Sequence, residues 1–323
     1  MNILGIETSC DETAASIVKD GRWIRSSVVS SSLGEHKKYG GIIPEIASRR
    51  QLEAINIVVR RASLEAHCGL PRLDAIAVTR APGLIGSLLV GLSFARALSF
   101  TLRKPLIEID HVQAHLYAPF LTDAVKEKAA AGRPGLPTIG LIVSGGHTSL
   151  YLIKSWTDFK LLGKTRDDAA GEAFDKVARI LNLGYPGGPV IDRMARHVSD
   201  HPLAFNCAEL PGTYDFSFSG IKTAILYYHQ KNKNQDNTQK THIVHAFQES
   251  VVSILVKKCL AACRDFKSHS LIVGGGVAAN SRLRQALGEA AISRGIKVFF
   301  PPLNLCMDNA AMVAGIAYHR LKN

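Results

Sequence analysis

MNILGIETSCDETAASIVKDGRWIRSSVVS, residues 1–30, reads as three strands separated by two turns. Ile3 to Glu7, Ala14 to Val18 and Trp23 to Ser30 carry the apolar and β-branched runs, with SCDET and KDG as polar punctuation between them. Strands joined by such short turns pair antiparallel. The pattern restarts in the second half: Thr138 to Val143 is a strand, SGGH a tight turn, and Thr148 to Ile153 a returning strand. A layout that occurs twice, although its letters differ, suggests duplication.

Each set of strands is followed by alternating helices and buried strands. Pro44 to about Ala66 forms a long helix, on which Leu52, Ile55, Val58, Val59 and Ala62 fall within one arc. Arg49, Arg50, Arg60 and Arg61 fall on the opposite arc, as a solvated charged face or a contact stripe for backbone phosphates. Next come a strand from Leu73 to Thr79, a helix after Pro82-Gly83, and a strand from Pro105 to Ile109. The stretch KEKAAAGRPGLP, 126–137, reads as a surface connection. Further helices are expected at about 169–182, 189–198, 219–230 and 241–264, with the polar run KNKNQDNTQK, 231–240, as a solvated loop. A buried strand, Leu271 to Val273, leads into Gly274-Gly275-Gly276 and a helix from near Asn280. A strand at Ile296 to Phe300 and a last helix from about Asp308 to Leu321 complete the chain. Strands alternating with helices in both halves give an α/β protein with a mixed sheet in each domain.

A length of 323 residues suits two domains, and 46% apolar with 20% charged residues marks a folded chain. The net charge of +12 favours a polyanionic partner without naming one. Six cysteines show no CxxC spacing, and Cys259 with Cys263 reads as a pair of buried thiols in a reducing compartment. MNILGIETS begins as a strand with no basic leader, so a cytoplasmic location is expected. The segment 83–102, GLIGSLLVGLSFARALSFTL, approaches the length of a bilayer span. Arg96 and its hydroxyl residues favour a buried core helix, with no membrane partner.

Chemistry is concentrated in HVQAH, a short helix beginning at His111. Residues four apart share a helical face, so His111 and His115 can reach one cation. Position 112 is valine, where a zincin protease needs its glutamate base, so a metalloprotease is excluded at its chemical centre. Three glycine turns, Ser144-Gly145-Gly146-His147, Tyr185-Pro186-Gly187-Gly188-Pro189 and GGGVAAN at 274–280, could bring backbone amides to an anionic nucleotide. No P-loop, G-x-G-x-x-G or G-x-S-x-G is present, which excludes a Walker ATPase, a Rossmann dehydrogenase and an α/β-hydrolase.

GIETSCDETAASIV, GGIIPEIASR, APGLIGSLLVG, HVQAH, VSGGHT, DDAAGEAFDKVAR, YPGGP, DFSFSGIKTA, VGGGVAAN and MDNAAM occur in this order along almost the whole chain. As a set they resemble the TsaD-type tRNA N6-adenosine threonylcarbamoyltransferases. The resemblance implies two related actin-like, ribonuclease H-like domains, with a ligand cleft between and within them. It sets them at 1–116 with 307–323, and at 117–306. The implied reaction moves a threonylcarbamoyl group from threonylcarbamoyl-AMP to N6 of adenosine-37 in tRNAs reading codons that begin with adenine. The alternative on this fold is an ATPase, phosphotransferase or chaperone.

Motif by motif, the resemblance makes His111, His115 and Asp308 ligands of one divalent metal per subunit, Fe(II) foremost and Zn(II) second. Substrate contacts carry over to Ile142, Val143, Ser144, Gly145, Gly146, Asp175, Gly188, Asp192 and Asn280. Asp11 and Glu12 are the candidates for a base or for electrostatic positioning, and the bland alternative is a pair of solvated turn carboxylates. A TsaB-like paralogue and a TsaE-like ATPase are the implied protein partners. Met307 and Gln51 depart from the common pattern, which has threonine and histidine there.

Overall fold

A computed structural model describes residues 1–123, 132, 134–196, 198, 202–232 and 236–321. The chain divides into two compact units, residues 1–133 with 301–323, and residues 134–300. Most of the 126–137 connection, and residues 233–235 of the polar run, lie outside the described residues.

The first unit opens with β1 (Asn2–Glu7), β2 (Glu12–Lys19) and β3 (Trp23–Ser31), paired antiparallel as the opening sequence requires. A short α1 (Leu33–His36) and a long α2 (Pro44–Glu65) precede β4 (Ala75–Ala81), α3 (Ile85–Leu102), β5 (Leu106–Asp110), α4 (His111–Tyr117) and β6 (Thr122–Asp123). The sheet order is β5-β4-β1-β2-β3-β6. β1, β4 and β5 run parallel, so their C-terminal ends lie at one edge, carrying Glu7, Thr79 and Asp110. Leu4, Ile6, Ile17, Ile76 and Val78 from the sheet, Ile55, Val58, Val59 and Ala62 from α2, and Ala95 from α3 make one apolar core.

In the second unit, β7 (Thr138–Val143), β8 (Thr148–Ser155) and β9 (Asp158–Lys164) repeat the antiparallel opening. Helices α5 (Ala170–Ile180), α6 (Gly187–Ala195), α7 (Ser219–Lys231) and α8 (Asn237–Asp265) follow, then β10 (Ser270–Gly274), α9 (Ser281–Ile292) and β11 (Lys297–Phe299). The order β11-β10-β7-β8-β9 matches β5-β4-β1-β2-β3 strand for strand and direction for direction. The last helix, α10 (Ala310–Leu321), returns to the first unit, where a side chain at Gly5 would collide with the Ala310 carbonyl.

Four expectations need correction. The first unit extends past 116, because Thr122 pairs with Trp23 on the edge of its sheet and Leu121 packs beside Gly315. It resumes at Pro301 rather than 307. Leu52 faces solvent, 68% exposed, and buried Gln51 takes its place on the inner face of α2. The helix expected at 241 starts at Asn237, because Asp236 accepts from Gln239 N at 2.7 Å while the Gln239 side chain caps back, a capping box inside a run that reads as loop.

The fourth concerns α3, which packs one side on the core and leaves the other uncovered. It is long and apolar enough to cross a membrane, yet only 17% of it is buried. Ser87, Leu88, Gly91 and Ala95 form its inner stripe, while Ile85, Leu89 and Phe100 are exposed.

Candidate active site

The edge formed by the ends of β1, β4 and β5 assembles the first cluster. Asp110 ends β5 and caps α4, accepting from Gln113 N at 2.9 Å, so the helix begins at His111 and turns both histidines to one side. Their rings meet edge to face, with centroids 4.7 Å apart. Asp308, just before α10, reaches the same point: its Oδ1 lies 3.1 Å from His115 Nε2 and 3.6 Å from His111 Nε2. The three donor atoms lie within 4.8 Å of one another. Metal–ligand bonds of about 2.1 Å at tetrahedral angles would hold donor atoms about 3.4 Å apart. The two measured carboxylate–imidazole separations bracket that spacing, so the residues fit a cation with two imidazoles and one carboxylate.

The other side of His111 is also built. Its Nδ1 lies 3.0 Å from Glu7 Oε2 and 3.1 Å from Ser9 Oγ. Glu7 is fully buried and also accepts from Ser9 N at 2.6 Å and from the Thr79 hydroxyl. Burial disfavours its charge, but His111 overrides this and holds the Glu7 carboxyl below its ordinary range. The reciprocal balance raises His111: burial opposes the imidazolium, Glu7 and Asp308 outweigh burial, and its pKa is pushed up to about 9.

Asp11 and Glu12 join this cluster rather than projecting as solvated turn residues. Asp11 is buried, and Glu12, half-buried, follows it at the start of β2. Burial, then the charges of Asp308 and Asp11, push the Glu12 carboxyl up to about 9. The turn is held by Gln51, whose amide donates to the carbonyls of Cys10 at 2.9 Å and Glu12 at 3.0 Å.

The second unit gathers the remaining candidates. Ile142 and Val143 are buried in β7, so only their backbone is available to a ligand. The Ser144-Gly145-Gly146 turn is tied to α5 by Gly171 N donating to Ser144 O at 3.0 Å. Gly275, at φ +92°, lies so close to Val143 that a Cβ would strike its carbonyl, which brings the third glycine turn against the first. Gly145, Gly146 and Gly188 border open space, as a backbone cradle requires. Asp175 on α5 accepts from Gly187 N at 2.7 Å, fastening the start of α6. Burial outweighs the backbone amides at that helix start and raises its carboxyl. Asp192 on α6 accepts from Ser281 N at 3.1 Å and Ser281 Oγ at 2.7 Å, fastening the start of α9. Asn280 caps α9 through Leu283 N at 2.9 Å and donates to buried Gln248 at 2.7 Å.

Residues 24–315 match the family model described as TsaD, tRNA N6-adenosine threonylcarbamoyltransferase. The chain belongs to the TsaD family. A protein so named from Syntrophus aciditrophicus is 48% identical over 99% of this chain and 93% of its own length. Another from Thermosipho africanus is 48% identical over 100% and 95%. This TsaD-family chain is therefore a transferase that modifies tRNA at N6 of adenosine. Solved structures share the fold alone. HypF superposes with a TM-score of 0.63 at 14% identity, covering 100% of this chain and 47% of that one. Component A of the Acidaminococcus fermentans (R)-2-hydroxyglutaryl-CoA dehydratase gives 0.55 at 13% identity, with 100% coverage of both. The architecture is the actin-like one.

Glu7, Ser9, Gln51 and Gln248 were not among the expected site residues, yet each contacts a candidate residue or its turn: Glu7 and Ser9 meet His111, Gln51 the Asp11–Glu12 turn, and Gln248 Asn280. Glu7 does leave a signal, a carboxylate ending an otherwise apolar buried strand. Gln51 and Gln248 leave none, because a polar residue on an amphipathic helix reads as surface.

Proposed function

We propose that this transferase takes the threonylcarbamoyl group from threonylcarbamoyl-AMP and places it on adenosine-37 of tRNAs reading codons that begin with adenine. The observation that carries the reading is the convergence of His111, His115 and Asp308 at metal-ligand spacing, beside the carboxylates of Asp11 and Glu12. A cation held there, Fe(II) foremost and Zn(II) second, supplies Lewis acidity toward a carbonyl or phosphate oxygen. The N6 amine attacks the carbamoyl carbon, an N–C bond forms, the C–O bond to phosphate breaks, and AMP leaves with the electron pair. The donor already carries a good leaving group, so no serine or cysteine nucleophile is needed. Asp11 receives the proton from N6, and the Glu12 carboxyl, pushed up to about 9 by burial and by the charges of Asp308 and Asp11, adds no second negative charge beside it. The Ser144–Gly146 turn and the starts of α6 and α9 hold the donor through backbone amides, and Asp175 and Asp192 keep those starts in register.

Partner proteins fit the exposed apolar side of α3, since Ile85, Leu89 and Phe100 present more apolar surface than a solvated helix needs. A TsaB-like paralogue is the proposed occupant, and a TsaE-like ATPase the second partner. A tRNA substrate implies that the reaction runs in the cytoplasm. A phosphotransferase on the same fold has no evident use for the histidine pair and Asp308.

The test supplies purified protein, Fe(II) or Zn(II), both partner proteins, threonylcarbamoyl-AMP and unmodified tRNA, with the nucleoside read by mass. One metal per chain, lost in His115→Ala together with product, is the expected result. ATP consumption without modified nucleoside in a preparation that binds metal and tRNA overturns it.

A further inference from the structure

Two of the three proposed ligands differ in what stands behind them. His115 Nδ1 is buried with no hydrogen-bond partner among the described residues, whereas His111 Nδ1 faces Glu7 Oε2 at 3.0 Å and Ser9 Oγ at 3.1 Å. A hydroxyl can donate or accept, so Ser9 leaves the imidazole tautomer open. An ionised carboxylate can only accept, so the neutral imidazole of His111 keeps its hydrogen on Nδ1 and offers the lone pair of Nε2, on the Asp308 side, to a cation that displaces the second proton. Glu7 is itself fixed, with Oε1 taken by Ser9 N and Oε2 by the Thr79 hydroxyl.

We infer that Glu7 is the positioning residue of the metal centre, the buried carboxylate that selects the metal-binding tautomer of His111 and holds its ring toward Asp308. Resting on the metal reading above, this assigns to the end of β1 a role that its place in the sheet would not require. An imidazole ligand with its second nitrogen hydrogen-bonded to a carboxylate is oriented and made a better donor, and losing such a partner typically costs about 10–100-fold in metal affinity. Glu7→Gln is the informative change because shape is kept. An amide nitrogen at the Oε1 position would oppose the Ser9 N–H. At the Oε2 position it would donate to His111 Nδ1 and move the imidazole hydrogen to Nε2, where the metal must bind.

The experiment titrates Zn(II) into the full chain against a chromophoric chelator and follows Co(II) by its visible ligand-field bands. Glu7→Gln should weaken Zn(II) binding by about 10-fold or more and alter the Co(II) spectrum. Thr79→Val, which spares the Glu7–His111 contact, should stay within about threefold of wild type. That contrast separates positioning from simple support of the sheet. Should Glu7→Gln not fold, long-range ¹H–¹⁵N spectra of the Zn(II)-loaded wild type decide the matter, with His111 expected to carry hydrogen on Nδ1 and metal on Nε2. Wild-type binding that Glu7→Gln matches, or a ring loaded through Nδ1, overturns the role of Glu7 alone. A wild-type chain that binds neither ion overturns the metal reading beneath it.

Discussion

At His111 and Glu12 the metal-free chain stores protons that an unfolded chain would release. His111 moves from an ordinary 6.5 to about 9, and Glu12 from 4.5 to about 9. For both, the folded state binds more protons than the unfolded one as pH rises from 6.5 to 9, so stability falls with pH across that window. The His111 contribution is complete below 6.5 and lost by about 9. Glu7, held below 4.5, acts only in acid and does not offset the trend. Thermal melts of chelator-treated protein should therefore show a melting temperature that declines from pH 6.5 to 9, and Glu12→Gln should flatten the decline. A flat wild-type profile contradicts the assignment. Asn280 calls for a different variant. Asn280→Ala removes the α9 cap and strands Gln248, costing about 1–3 kcal/mol of stability whatever happens to the donor. Asn280→Ser keeps a capping oxygen but, like alanine, strands Gln248, so it should recover only the cap part of that loss and bind threonylcarbamoyl-AMP more weakly by calorimetry. Equal binding would make Asn280 a structural cap. The histidine pair was legible because both members lie within one helical turn. Asp308 was legible only through family resemblance, since it is 193 positions from His115 and no local period links them.

Among the elements, α2 shows how an arc of like charges resolves once carboxylates are placed. Arg50 pairs with Glu35 and Glu53, both at 2.7–2.8 Å, and Arg61 pairs with Glu65 at 2.7 Å. Arg49 and Arg60 have no carboxylate partner among the described residues and stand exposed. If the stripe meets tRNA, these two are the arginines that reach it. Arg49→Glu with Arg60→Glu should weaken tRNA binding and reduce the log–log salt slope by about 0.9 or less for each phosphate left without its arginine. Filter binding across a salt series checks this, and an unchanged slope makes the face merely solvated. Periodicity located α2 and its buried Ile55, Val58, Val59 and Ala62, but it misplaced Leu52 and gave no place to buried Gln51. Hydrophobicity ranks those two in one order, while the carbonyls of Cys10 and Glu12 impose the other by needing an amide. For α3 the error was different in kind. Composition reports that a helix is apolar, not how much of it the rest of its chain covers, and here only one side is covered.

For the molecule as a whole, the repeated strand, turn and returning strand in the sequence corresponds to a repeated sheet order, β5-β4-β1-β2-β3 and β11-β10-β7-β8-β9. That much was legible because strand and turn signals are local. The division points were not, because β6 belongs to the first sheet through a two-residue pairing with β3 that carries no sequence signature. The two units also divide the chemistry. All of Glu7, Asp11, Glu12, His111, His115 and Asp308 lie in the first, and Ser144–Gly146, Asp175, Gly188, Asp192 and Asn280 lie in the second. The second unit has its own core, in which Phe174 and Phe247 pack edge to face with centroids 4.9 Å apart. Its segment, residues 134–300, is continuous in sequence, so it can be expressed without joining distant pieces. Expressed alone, it should unfold cooperatively and retain binding of threonylcarbamoyl-AMP within about tenfold of the intact chain, a difference of at most about 1.4 kcal/mol. It should bind no Zn(II) at the affinity of the intact chain and transfer nothing to tRNA. Calorimetry on the isolated segment separates the outcomes. A cooperatively folded segment with no detectable donor binding would assign the donor's main anchoring to the first unit, and would remove the Ser144–Gly146 turn and the starts of α6 and α9 as its cradle.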